Sequence, residues 1–404
     1  MNKKEWKKYK FGELGQIFNG NSINKNEKEK HFKGLTEGIP YIGTKDVGFD
    51  HKITYESDVK IPKTKYDRFK LAPANTILIC AEGGSAGKKI AVTDRDIYFG
   101  NKLFAINPTN QNCNQLIFYY CLSDIFAKQF KDVMAGLIGG VSLNNFKELS
   151  ISLPSFSEQQ RIVHILNKLF KDIDIAKANT EKNLQNSRSL FESYLNRAIA
   201  KPKNGWVKKK IGDIAMTQYG LSLSMNNEKK GFKIFRMGEV QDGRLIDTGK
   251  MKYVDIDNSE FEKYKLLPND VLFNRTNSIK LVGKTGIFDL EGDYCFASYL
   301  IRVSPDKKSL FSQYLNYFIN SKLFQEQIKQ KASESINQAN INATILSNES
   351  IWFPVSLEEQ KNIITNLDKM KAETEHLKSI YQKKLTALER LKKSLLHQAF
   401  IGNL

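Results

Sequence analysis

Residues 154–166 read PSFSEQQRIVHIL, and residues 354–367 read PVSLEEQKNIITNL. In both, a proline and a short linker lead to a Glu-Gln pair and then to an apolar stripe at helical spacing. Working outward, Trp6 begins WKKYKFGELGQIFNGNS and Trp206 begins WVKKKIGDIAMTQYGLS, so that Gly12 matches Gly212, Leu14 Ile214, Gly20 Gly220 and Ser22 Ser222. KLAPANTILICAEGGSAGKKIAV from Lys70 is echoed by KLLPNDVLFNRTNSIKLVGKTGIF from Lys265, in a register that insertions have shifted. Beyond the Glu-Gln pairs the match runs without a gap, from Ile162 and Ile363 through Leu190 and Leu391 to Ala198-Ile199 and Ala399-Phe400. A register that holds this long marks a single helix, and the chain reads as a tandem duplication.

The repeated C-terminal segments predict two long helices. Ser157-Glu158-Gln159-Gln160 and Ser356-Leu357-Glu358-Glu359 fit the capping box, in which a serine accepts an orphan N–H and the third side chain reaches back. Ile162, Leu166, Leu169, Ile173 and Leu190 form one seam, and Ile363, Leu367, Met370, Leu377, Leu388, Leu391 and Leu395 form the other. Thr180, Asn183 and Ser187 weaken the first seam midway. KPKNG at 201–205 stops the first helix, and Gly402 lies just past the second. At 1.5 Å per residue each spans roughly 60 Å, more than a small domain can cover, so each is expected to pack on the other. Connectivity then favours an antiparallel pair with a globular domain at each end. The fold class expected is α+β: two tandem globular domains joined by two long antiparallel coiled-coil helices, related by a pseudo-two-fold internal repeat.

Composition narrows the function. The 404 residues carry 62 Lys and Arg against 44 acids, a formal charge of +18, which suits a polyanion such as nucleic acid. No run of eighteen apolar residues occurs, and the Met-Asn-Lys-Lys-Glu start is no signal peptide, so a soluble cytoplasmic protein without membrane contact is expected. Cys80, Cys113, Cys121 and Cys295 form no CxxC and read as buried thiols. The five histidines are scattered, with none at metal-ligand spacing. Gly83–Lys88 and Gly283-Lys284-Thr285 echo a phosphate-binding loop, but neither keeps the G-x-x-x-x-G-K-[ST] spacing. The glycine and Asn/Asp-Pro-Pro-aromatic motifs of a methyltransferase are missing as well. No catalytic residue, cofactor or metal is therefore assigned.

The P-x-x-x-(x)-E-Q-x-x-I entry to both helices, the paired Trp6 and Trp206, and the ending LLHQAFIGNL at 395–404 together resemble the specificity subunits of type I restriction–modification systems. Departures are small: one extra residue between Pro354 and Glu359, and Ala198-Ile199-Ala200 where the family pattern has Ala-Phe-x-Gly. The resemblance implies target-recognition domains at 1–156 and 201–355, separated and followed by spacer helices at 157–200 and 356–404. It implies a protein that reads a bipartite double-stranded DNA site and positions two methyltransferase (M) subunits and restriction/translocase (R) subunits on it, with no catalysis of its own. Half-sites about one helical turn apart, roughly 34–36 Å, suit such a frame. Because the globular segments diverge while the helices do not, the two half-sites are expected to differ. The rival reading is a coiled-coil adaptor with two protein-binding heads.

Bases are read by Arg, Lys, Asn and Gln, and phosphates are held by basic and hydroxyl side chains. The first candidates follow the strand at Thr76–Cys80: Ser85, Lys88 and Lys89. Their counterparts are Asn274, Arg275, Thr276, Asn277, Lys280 and Lys284. A hairpin turn with solvated charges is the plainer reading of either loop. Thr44, Lys45 and Arg236 follow matching strands and form a second tier; Lys65, Arg68, Asn101 and Lys102 form a third. Asn144-Asn145 and Asn337-Gln338, in polar loops before each helix, either read bases or cap turns.

Overall fold

The computed structural model describes residues 6–56, 58–62, 68–109, 111–136, 139–199, 202–335 and 338–404. They form two compact units, Met1–Thr180 with Lys383–Leu404, and Glu181–Gln382. Each unit therefore takes a share of both long helices.

In the first unit a four-stranded sheet runs Gly15–Asn19, Leu103–Pro108, Ile77–Cys80, Ile90–Val92. A second sheet runs Lys60–Ile61, Ile39–Ile42, Ile97–Phe99, Leu71–Ala72, and Lys7–Lys10 pairs with Ser150–Leu153. The second unit repeats this plan. Ala215–Tyr219, Leu300–Pro305, Val271–Asn274 and Thr285–Ile287 follow in the same order, extended by Gly243–Leu245 and Val240–Gln241. Lys252–Val254, Phe232–Phe235 and Tyr294–Phe296 form the second sheet, and Trp206–Lys210 pairs with Ser350–Pro354. Each second sheet contains one parallel pair, Ile39–Ile42 with Ile97–Phe99 and Phe232–Phe235 with Tyr294–Phe296. The duplication is thus one of topology as well as of sequence.

The run Ile77-Leu78-Ile79-Cys80 is apolar throughout because both of its faces are covered: Ile77 and Ile79 enter one core, Leu78 and Cys80 another. Gly20 and Gly220 recur for a steric reason. A Cβ on Gly20 would lie 1.9 Å from the Phe99 carbonyl oxygen, and one on Gly220 would lie 2.3 Å from that of Phe296. Only glycine lets the two backbones meet there.

The long helices span Phe156–Ile199 and Leu357–Ile401. Within the first unit they run antiparallel. Arg161 bonds the Leu404 carbonyl, Asp174 pairs with Lys392 at 3.5 Å, and Lys177 pairs with Glu389 at 2.6 Å, so positions rise along one helix as they fall along the other. Their ends also enter the globular cores. Ile162, Leu166, Phe170 and Ile173 join Leu396, Ala399 and Phe400 in the first unit's core, where the Phe400 ring meets Tyr120 edge-on at 5.1 Å. Leu195, Ile199 and Leu367 join the core of the second. The ending LLHQAFIGNL is therefore a packing element.

The seam needs correcting. Leu190 and Leu391 are 48% and 47% exposed, so neither lies in it. Leu195 and Leu396 take the buried places near the helix ends, because there the apolar face turns toward a globular core. Leu169, Ile363, Met370, Leu377, Leu388 and Leu395 are half-buried. Thr180 and Ser187 are buried, as their seam positions require, and each hydroxyl returns its hydrogen bond to the carbonyl four residues back. The first cap also shifts. The helix begins at Phe156, so Ser157 lies in its first turn, and the Ser155 carbonyl accepts from Gln159 at 2.9 Å. At the second helix Ser356 does cap, its hydroxyl accepting the Glu359 N–H at 3.3 Å.

Glu-Gln recurs because the glutamine is a clamp. Gln159 donates to the Pro154 carbonyl at 2.9 Å, and Gln360 donates to that of Pro354 at 2.8 Å, one residue farther back to absorb the insertion. Gln360 also donates to Ser309 O at 2.9 Å and accepts the Phe311 N–H at 3.0 Å. Glu359 is engaged as well, accepting the Trp206 indole N–H at 2.9 Å.

Candidate nucleic-acid interface

The two leading loops grow from equivalent strand ends. After Ile77–Cys80 the chain closes back through the Gly87 N–H to the Cys80 carbonyl at 2.8 Å; after Val271–Asn274 it closes through the Gly283 N–H to the Asn274 carbonyl, also at 2.8 Å. Gly87 and Gly283 both hold positive φ, 68° and 88°. Glycine is the residue that adopts this backbone at no cost. The loops differ in length and chemistry on a common anchor.

In the first unit the structure gathers several candidates. Lys89 donates to the Thr44 carbonyl at 3.0 Å and lies 5.2 Å from the Phe49 ring, joining the loop to the turn that carries Thr44 and exposed Lys45. Lys88 is exposed and donates to Gly84 O at 3.1 Å, and Ser85 is half-buried. Lys102 pairs with Glu82 at 2.7 Å, which brings the exposed Asn101-Lys102 turn to the same edge. Gly83 N–H to Gly139 O at 2.8 Å and Val141 N–H to Ala81 O at 3.0 Å tie in the segment that leads to Asn144 and Asn145. Those asparagines are exposed in the first turn of the helix Leu143–Glu148, and Ser142 is its cap. Arg68 is separate, held by Glu27 and stacked 4.7 Å from Phe69.

In the second unit Thr276–Asn277, Gln338–Asn340 and Ser333–Ser335 make a small sheet beside the loop. Gln338 is exposed on it. Arg275 donates to Ser298 O at 3.1 Å and to Asn340 Oδ1 at 3.0 Å, and its guanidinium lies 5.1 Å from the Tyr219 ring. Asn274 is buried and donates to the Met237 carbonyl at 3.2 Å, so in this arrangement it fastens the loop to the turn after Phe232–Phe235. Arg236, on that turn, is fixed by Glu239 at 2.6 Å. Lys280 is exposed and Lys284 half-buried; the Lys280 carbonyl accepts from Lys329 at 3.0 Å. Burial holds the Lys329 ammonium below its ordinary pKa, and the nearby Lys284 charge adds to the effect. Anionic phosphate relieves that kind of crowding. Lys65 and Asn337 lie outside the described residues.

Both units thus present a basic, hydrogen-bonding edge built from a strand-end loop, a neighbouring turn and the segment before a short helix. Across the chain, residues 3–186 and 203–386 each match the model of the type I restriction modification DNA specificity domain. The chain belongs to this family. It is 24% identical to the StySPI specificity subunit of Salmonella potsdam over 83% of this chain and 76% of that protein. To the EcoBI specificity subunit of Escherichia coli it is 22% identical, over 99% and 86%. In fold it resembles a chain from a study of complex assembly and conformational transition in a type I R-M system, with TM-score 0.79, 20% identity and coverage of 99% and 98%. The HsdS subunit of Thermoanaerobacter tengcongensis is also similar, with TM-score 0.61, 21% identity and coverage of 99% and 97%. Membership of this DNA-specificity family leaves the adaptor reading without support.

Several residues of these edges escaped the sequence reading. Asp46 accepts the Gly43 N–H at 2.8 Å, and Glu239 accepts the Arg236 N–H at 2.9 Å: the same carboxylate-capped turn, built twice. An acid four residues beyond the ends of matching strands is the signal that would have found it. Tyr219 and Tyr299 carry no local signal, since only folding brings them beside the arginines. Cys80, Cys121 and Cys295 are free and buried. Among the described residues no cluster of His, Cys, Asp and Glu could hold a metal ion, and no helix is long and apolar enough to cross a membrane.

Proposed function

We propose that this chain is the sequence-reading subunit of a type I restriction–modification complex, reading a bipartite, asymmetric double-stranded DNA target. Residues 1–156 read one half-site and residues 201–355 the other, with 157–200 and 356–404 as the helical spacer. The observation that carries this reading is the strand-end loop built twice on one anchor with unlike chemistry, Glu82–Lys89 against Asn274–Lys284. Lys88, Lys89, Lys102, Lys280 and Lys284 hold phosphates. Thr44, Lys45, Ser85, Asn101, Asn144, Asn145, Arg236, Thr276, Asn277 and Gln338 stand where bases or phosphates arrive. The chain itself is non-catalytic and works in the cytoplasm. Two methyltransferase subunits and restriction/translocase subunits dock on it, and its exposed Leu190 and Leu391 suit partner contact.

Salt separates this reading from a protein-docking one. Neutralising several phosphates releases counterions, so affinity for duplex DNA should fall about a thousandfold or more between roughly 50 and 200 mM salt. Fluorescence anisotropy on a labelled duplex measures it. An affinity that barely moves would overturn the proposal.

A further inference from the structure

Among the described residues five buried side-chain polar atoms lack a hydrogen-bond partner, and three of them, Arg236 Nε, Asn274 Oδ1 and Arg275 Nε, belong to the second unit's edge. Native proteins seldom leave such atoms unpaired unless something else completes them. Arg236 lines a cleft of about 430 Å³ together with Met225, Met237, Gly238, Lys252 and Tyr299. Asn274 and Arg275 stand behind two of its walls, Asn274 donating to the Met237 carbonyl and the Arg275 backbone N–H to the Tyr299 carbonyl at 3.0 Å.

Arg236 is held ready at the wall of this cleft. Glu239, itself 3% exposed, takes one Nη2 hydrogen at 2.6 Å and caps the backbone N–H at 2.9 Å. A guanidinium has five donors in a rigid fork, so one occupied donor leaves a pair for a ligand. Guanine alone presents two adjacent acceptors, O6 and N7, on its major-groove edge. The first unit builds the same turn with Gly43 in place of Arg236 and Asp46 in place of Glu239. The two edges therefore differ here by one guanidinium.

Resting on the proposed DNA-reading role, we propose that Arg236, oriented by Glu239, selects a guanine in the half-site read by the second unit, and that the Gly43 turn makes no such selection in the first. Arg236 is the specificity-determining group and Glu239 its positioning residue.

The test is the methylated motif produced by the full chain in complex with its methyltransferase subunits, read by methylome sequencing. The wild-type motif should contain a G·C pair in one half-site. Arg236→Gln and Arg236→Lys should each relax that single position, by on the order of ten- to a hundredfold in preference, and leave the other half-site unchanged. Lysine keeps the charge but loses the fork, so full retention of the guanine by Arg236→Lys would overturn the bidentate reading. Uniform loss of methylation at all sites would overturn it too, as would a wild-type motif with no G·C pair in either half-site. A gain-of-function variant covers a destabilised Arg236 mutant. A Cβ on Gly43 meets only Asp46 Oδ2, at 3.5 Å, so a side chain can leave the backbone there without a clash at its first atom. Gly43→Arg with Asp46→Glu should add a guanine preference to the other half-site, and an unchanged motif would count against the proposal. Absence of any bipartite motif would instead defeat the DNA-reading role itself.

Discussion

Gln360 shows how one side chain can fix a junction. It is fully buried and makes three hydrogen bonds, to Ser309 O, Pro354 O and the Phe311 N–H, at the point where strand, loop and long helix meet. Gln360→Ala strands those backbone groups and should cost about 2–4 kcal/mol in denaturant unfolding, whereas a loss under about 1 kcal/mol would show that they are satisfied otherwise. A second residue-scale test uses pH. Burial pushes the Tyr120 phenol up from 10.0 to about 12. A raised folded-state pKa contributes stability that is complete below the unfolded value, so stability should decline as pH climbs from 10.0 toward about 12. Tyr120→Phe should flatten part of that decline, measured as denaturant midpoints across the alkaline range. An unchanged slope would remove burial of Tyr120 as its cause.

Both long helices were legible in the sequence, since an ungapped register of apolar, capped positions has few other readings. Their lateral detail was not. A 4-3 spacing places Leu190 and Leu391 in the seam, yet both are nearly half exposed, while Leu367, fully buried, joins a globular core. The cause is that a helix whose ends enter a domain must turn its apolar face toward that domain, which no periodicity encodes. Leu367→Ala should therefore cost about 2–5 kcal/mol. Leu391→Ala should fall within about 1 kcal/mol, because little apolar area leaves or enters water there. Comparable losses at both positions in thermal unfolding would restore the simple seam. The helix end has a further fastening that pattern could not show: the Trp352 indole donates to the Ile199 carbonyl at 2.5 Å, satisfying one orphan acceptor of the final turn.

Across the whole chain the duplication survives in strand order, in the parallel pair of each second sheet and in the two Gly-closed loops, while the loop chemistry has diverged. The loops themselves were legible as candidates because they follow the strongest strands. Which of their side chains stay free was not, because Asn274 and Arg275 are turned to internal work by partners distant in sequence, at Met237, Ser298 and Asn340. On the proposed reading, shared anchors with unlike loops give one frame two specificities. Methylome sequencing of cells expressing the chain with its methyltransferase subunits tests this most directly. A single motif of two different short half-sites separated by a spacer of fixed length is expected. A continuous or palindromic motif, or methylation without sequence preference, would contradict it.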